Sequence, residues 1–458
     1  MSDMLNKKTA IVNQFSNSHA EQIGTYRFLH NPDVSLDGLI QASYNHCSKH
    51  CKGLHVLSIQ DTSEINYQNL TGKLKANDAN IGPVGNNTDA GYFLHPNLVV
   101  DTAEMFPIGF SSIIMWNRKW DKLDKHQRNY TKLPIEEKES YRWLSSVTTS
   151  KKVLKDARHI TIVGDRENDF YEELVHAPDD KTDLLIRSSM NRRLHDSDEK
   201  LFETLAKSDL QAVYKIEIKG NKKRQDRVAE MQLRYKKVKI ARPSNLSKNE
   251  LPEYVELWVI EAREQSESVP EGEDEILWRI LTTHDITSIK DALQYVEWYA
   301  FRWQIEQLFR LLKKKGFNIE SSQLGDGISL KKLCVMALQV VLQVMQLTLS
   351  RTGENNKKAE LIFTGQEIKF LHIQQKKLEG KTKKLQCPFI PESMAWASWI
   401  IARLGGWKGY KSQTPPGHII MKTGLDIFFQ QYNGWKLAIE MLNYEKQIEP
   451  SKKDVYRE

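Results

Sequence analysis

Hydrophobic residues in this chain change their spacing several times, and each change marks an element. Residues 54–60 and 159–164 are short, nearly continuous apolar runs, the pattern of strands buried on both faces. β-Branched and aromatic residues cluster at 91–100 and 107–115, predicting two further strands, and 184–187 reads as another. A helix is expected around 138–147. At 213–219, 229–240 and 254–262 apolar and charged residues alternate, which predicts strands with one wet face. From Ser288, a plausible N-cap with Asp291 at the third position, the period lengthens to three and four, and Gly316 is the expected stop. The longest apolar run, 333–349, is short for a membrane span and carries Gln339, Gln343 and Gln346 on one face, so a buried core helix is expected. Residues 1–52 read as polar and helical, with Asn31-Pro32-Asp33 as a turn before a helix starting near Ser35. A lysine-rich hinge at 357–384 precedes amphipathic helices that run to the end.

The helix after Ser288 has two ordered faces. Trp298, Phe301, Ile305, Leu308 and Leu312 form an apolar stripe. Tyr299, Arg302, Glu306, Arg310 and Lys313 recur at nearly the same spacing, displaced by one residue and so by roughly 100°. A row of one phenol, cations and a single carboxylate is unusual for a merely solvated face. Two further acids complete the pattern. Asp61 ends the run 54–60 and Asp165 ends 159–164, which places each carboxylate at the carboxyl edge of a buried strand. An aspartate there also caps the turn that follows. Chemistry in open α/β sheets gathers at that same edge.

The spacing Tyr299-(2)-Arg302-(3)-Glu306-(6)-Lys313 resembles the signature helix of the DDE transposases of the insertion-sequence-four family. The likeness extends to Tyr26-Arg-Phe, Asp61-Thr-Ser, Gly164-Asp-Arg-Glu, Leu185-Ile-Arg187-Ser, Leu277-Trp278 and Ala402-Arg-Leu-Gly-Gly. It implies a ribonuclease-H-like α/β catalytic core (53–190 and 280–350) interrupted by a β-rich insertion (191–279). A helical N-terminal DNA-binding region (1–52) and a helical C-terminal dimerisation region (351–458) would flank it. It makes Asp61, Asp165 and Glu306 the catalytic, metal-binding acids. Tyr299, Arg302, Arg310, Lys313, Trp278 and Arg187 follow as DNA-handling residues, with Trp278 as the platform for a flipped base. Arg310 stands where the family pattern leads one to expect lysine, so charge is kept and geometry is not. The implied cofactor is a pair of Mg²⁺ ions, with Mn²⁺ as a substitute. The implied partners are double-stranded transposon ends and target DNA, held by a homodimer in a synaptic complex.

Composition fits without deciding. The 458 residues call for more than one domain, and 27% charged with 40% hydrophobic residues is ordinary for a soluble protein. Net charge +7 favours polyanionic partners, though mildly over this length. With no arginine-rich apolar leader before Asn13, a cytoplasmic bacterial protein is expected, nucleoid-associated when on DNA and without a membrane partner. His46-Cys47-Ser-Lys-His50-Cys51 is metal-like in content but lacks a second ligand pair at a workable spacing. Few residues precede Tyr26, where the family carries end-reading helices, so an inhibitor that dimerises with active transposase is the rival expectation. A paired-carboxylate glycosidase explains neither the third acid nor the Arg/Lys row.

Overall fold

The computed structural model describes residues 12, 16 and 18–453, except 76, 86, 121–132, 219–225, 247–249, 316 and 411. Gly316 therefore lies outside the described residues. The chain divides into two compact units, one of Ile40–Glu64 with Gly82–Gln307, the other of Met1–Leu39, Ile65–Ile81 and Leu308–Glu458.

The first unit is built on a mixed sheet. Its strands are β1 (His55–Gln60), β2 (Ser63–Asn66), β3 (Gly82–Val84), β4 (Asp89–Asp101), β5 (Phe106–Trp116), β6 (His159–Gly164) and β7 (Thr182–Arg187). β8 (Ala212–Ile218), β9 (Arg227–Ala241), β10 (Tyr254–Glu264) and β11 (Leu277–Thr282) extend it. The order is β2-β4-β1-β6-β7-β11-β10-β9-β8, with β3 and β5 also paired to β4. β1, β6 and β7 run parallel, and the strands beside them run antiparallel. The two continuous apolar runs are thus the central parallel strands, buried almost throughout. The alternating segments are β8 to β10, where exposed and half-buried positions recur on the wet face, most regularly in β8.

Helices cover this sheet. They include α2 (Leu36–Cys51), which begins outside the unit, then α3 (Tyr141–Val153), α4 (Tyr171–His176) and α5 (Leu201–Ala206), while α1 (His19–His30) belongs to the other unit. α2 sits so close to β5 that a Cβ on Gly109 would meet the Cys47 Cβ at 2.7 Å. Cys47 and Cys51 therefore point into the core with sulfurs 3.8 Å apart, while His46 and His50 are half-buried with rings 4.8 Å apart. The four residues face two ways and form no ligand shell.

α6 (Ile289–Ala300) starts as its sequence requires. The Ser288 side chain accepts from Asp291 N–H at 3.3 Å, and the Asp291 carboxylate accepts from Ser288 N–H at 2.9 Å. The single helix expected from here onward is interrupted. After α6 come two turn residues, Phe301 and Arg302, then α7 (Trp303–Arg310) and a π-helical turn, Leu311–Lys315. The amides of Arg302, Gln304 and Ile305 donate to the carbonyls of Tyr299, Phe301 and Arg302, three residues back instead of four. Such tightening needs no Gly or Pro. The side chain at the break, Arg302, has two acid partners.

The second unit is helical. α8 (Gly327–Ser350) has the length and apolarity of a membrane span, but 78% of its most apolar window is buried, so it is a core helix. The stretch expected to be a basic hinge contains α9 (Gly365–Leu378), opened by a Thr364/Glu367 capping box. α10 (Met394–Leu404) crosses α11 (His418–Lys453) closely, since a Cβ on Gly424 would lie 2.6 Å from the Ile401 carbonyl carbon.

Candidate active site

Parallel pairing of β1 with β6 sets the first two acids side by side. The last paired residues are Ile59 and Val163, and two positions beyond them come Asp61 and Asp165. Neighbouring strands lie about 4.8 Å apart, so both carboxylates leave the same edge as neighbours. Asp61 Oδ1 accepts from Thr62 N–H at 2.7 Å, and Asp165 Oδ1 accepts from Glu167 N–H at 2.8 Å. Gly164 is required here, because a Cβ on it would stand 2.7 Å from the Asn168 Cβ in the turn that presents Asp165.

Glu306, in the first turn of α7, is the third acid. Arg302 joins it to the first, donating from Nη2 to Glu306 Oε1 at 2.5 Å and from Nη1 to Asp61 Oδ2 at 3.1 Å. Side-chain exposures of 16% for Arg302, 17% for Asp61 and 32% for Glu306 make this a recessed cluster open on one side. Burial, then the Asp165 charge, push the Asp61 carboxyl up to about 7, and Glu306 adds to this while Arg302 and the Thr62 amide oppose it. A pocket of crowded acids that still raises a carboxyl pKa beside an arginine calls for more positive charge. Three hard carboxylate oxygen donors suit Mg²⁺ or Mn²⁺, so the residues present fit the ions that the resemblance implies.

Three of the remaining expected residues share this unit. Tyr299 is buried, and burial raises its phenol pKa despite Arg302 and Arg187 nearby, so it stays neutral. Its ring meets that of half-buried Trp278 edge-on, centroids 5.9 Å apart. Trp278 is held in β11 opposite Ala262 of β10. Arg187, at the end of β7, donates from Nη2 to the Leu277 carbonyl at 3.0 Å and so fixes the start of Trp278's strand. Arg310 and Lys313 belong to the other unit, where Arg310 is exposed and Lys313 pairs with Glu320 at 3.0 Å.

Reading the sequence missed Arg142. From α3 its guanidinium donates to Thr62 Oγ1 at 3.0 Å, Glu167 Oε2 at 2.6 Å and the Glu139 carbonyl at 2.7 Å, tying the residues that follow both aspartates. Thr62 in turn lies 2.9 Å from Nδ1 of buried His95. No spacing signals these contacts, because Arg142 lies 80 residues from Thr62.

Recessed acids on two parallel strands and one helix, with a cation between two of them, are a donor set that could hold divalent ions against an anionic substrate. Residues 146–340, which carry Asp165 and Glu306, match the family model described as the transposase DDE domain, and the match supports reading the chain as a DDE transposase.

Proposed function

We propose that the chain is a cut-and-paste transposase of the insertion-sequence-four kind, most like the transposase of transposon Tn-five. The observation that carries this reading is the meeting of Asp61, Asp165 and Glu306 around Arg302. In this reading the sheet from β1 to β7 with α6 and α7 is a ribonuclease-H-like core, and β8 to β10 belong to its insertion. The three acids would hold two Mg²⁺ ions, Asp61 shared between them; Mn²⁺ would substitute. When bound, these ions activate the attacking hydroxyl and neutralise charge on the leaving oxygen.

The chain's own residues do the rest. Arg302 swings between its acid partners and a DNA phosphate, since a guanidinium serves either anion with the same fork. Tyr299, neutral and buried, donates to a phosphate oxygen without adding charge. Arg310 and Lys313 add sequence-independent affinity for the duplex. The reaction runs as a nick that frees a 3′ hydroxyl, attack of that hydroxyl on the opposite strand to close a hairpin, hydrolysis of the hairpin, and joining of the 3′ end to target DNA. Closing the hairpin demands a distorted duplex, and Trp278 supplies the flat face on which an extruded base stacks.

Two ends must be held at once, so the working form is a homodimer on double-stranded DNA in the bacterial cytoplasm, associated with the nucleoid. By the resemblance, Met394–Leu404 (α10) and Gly424–Leu442 (within α11) supply the dimer contacts; α10 is largely buried within its own unit. Leu437, Met441, Leu442 and Tyr444 on α11 are each more than half exposed and would supply the apolar surface for the contact.

Trp278→Ala tests the hairpin route on a labelled duplex end. First-strand nicking should persist while hairpin formation falls, as about 1–3 kcal/mol of stacking is lost. Equal loss of nicking and hairpinning would contradict the assignment.

A further inference from the structure

Three histidines meet at the other end of the strands that carry the aspartates. His55 opens β1 and His159 opens β6, paired in register, and His284 follows β11. One ring nitrogen from each lies within 4.8 Å of the other two. At roughly 3.3 Å per residue, His55 stands about 20 Å along β1 from Asp61, so this cluster is separate from the acids.

The surroundings orient all three rings. Asp183 Oδ2, on β7, lies 2.7 Å from His159 Nε2 and 3.1 Å from His284 Nδ1, while its Oδ1 accepts from Thr283 Oγ1 at 2.6 Å. A carboxylate only accepts, so those two ring nitrogens carry the protons and leave lone pairs on His159 Nδ1 and His284 Nε2. Thr161 Oγ1 sits 2.9 Å from His55 Nε2 and 2.8 Å from His284 Nε2, a place between two imidazoles. Trp298 closes the site edge-on, 5.0 Å from the His55 ring and 5.7 Å from that of His284, and Tyr295 stacks on His284 at 4.8 Å.

We propose that His55, His159 and His284 form a second metal site, for one Zn²⁺, with water in the fourth position and Asp183 holding two of the rings from outside. Imidazoles without a carboxylate among the direct ligands select a borderline cation, whereas the all-oxygen acids select Mg²⁺. A ligand histidine usually passes its other N–H to a carboxylate, which is the part Asp183 plays twice. Zn–N bonds of about 2.0–2.1 Å put tetrahedral ligands about 3.4 Å apart, so the rings must close by on the order of 1 Å. His55 and His159 are half-buried. The ion would clip β1 to β6 and both to the segment leading into α6, the helix that bears Tyr299.

Chelator-stripped full-length protein, with Mg²⁺ in excess to satisfy the acids, is titrated with Co²⁺ and followed by its visible ligand-field absorption. The expected result is an intense tetrahedral band that saturates at one equivalent and is displaced by Zn²⁺. His159→Gln and His284→Gln should each remove the band. Asp183→Asn should weaken Co²⁺ binding about 10–100-fold, and Asp61→Asn should leave it unchanged. Absence of the band in the wild-type protein overturns the proposal, leaving a hydrogen-bonded histidine cluster only. So does a band that survives both histidine variants or disappears in Asp61→Asn. The wild-type titration decides even where a variant fails to fold.

Discussion

Glu173 has no exposed surface and lies 3.5 Å from the amide of Gln60, the residue just before Asp61. Burial pushes its carboxyl up to about 8 against hydrogen bonds that oppose the rise, so the folded protein holds it protonated at neutral pH. The unfolded chain ionises it near 4.5. Its contribution to stability is therefore whole below that pH, declines as pH rises, and is gone above about 8. Glu173→Gln should remove this decline, so that in urea unfolding the variant gains on the wild type steadily from pH 5 to pH 8.5. A difference in midpoint that stays constant across that range would contradict the burial argument. Among single residues, Asp61 and Asp165 were legible because each ends an apolar run a few residues long. Arg142, Glu173 and the histidine cluster were not. Their partners come from strands and helices tens to more than a hundred residues away, where no local pattern reaches.

At the level of elements, the hydrophobic patterns located eight of the eleven described strands and α6 within a few residues, because each has one face or both faces in a core; the short β2 and β3, and β11, were not among them. The Ser288 cap was legible for the same local reason. Ser288→Ala removes the acceptor for the Asp291 amide and should lower stability by about 1 kcal/mol, read from the urea midpoint at pH 7. An unchanged midpoint would mean that the capping box does not hold α6 in place. The break between α6 and α7 was not legible. Phe301 and Arg302 are acceptable helix residues, and Arg302 at the break pairs with acids from two elements, one of them far along the chain. The lysine-rich stretch misled in the opposite way, since charge suggested a hinge where Thr364 and Glu367 start a helix.

At the scale of the molecule, the division into two units cuts through residues that the sequence presents as one row, with Glu306 on one side and Arg310 and Lys313 on the other. Spacing along a chain reports a shared helix face and not which body that face joins. The exposed apolar residues of α11 carry the assembly prediction. Leu437→Glu with Met441→Glu should shift sedimentation on end DNA from a paired complex to a single-chain one while leaving the far-ultraviolet dichroism unchanged. A paired complex that survives both charges would place the dimer contact elsewhere. The central claim, that Asp61, Asp165 and Glu306 act together on phosphodiesters, is tested most directly by Mg²⁺-dependent cleavage of duplex DNA from the ends of the element that encodes the chain. Wild-type protein should cleave at the end. Asp61→Ala, Asp165→Ala and Glu306→Ala should each lose at least about a hundredfold in rate, or ~2.7 kcal/mol, while still binding the duplex. Near wild-type cleavage by any one of the three would contradict the account.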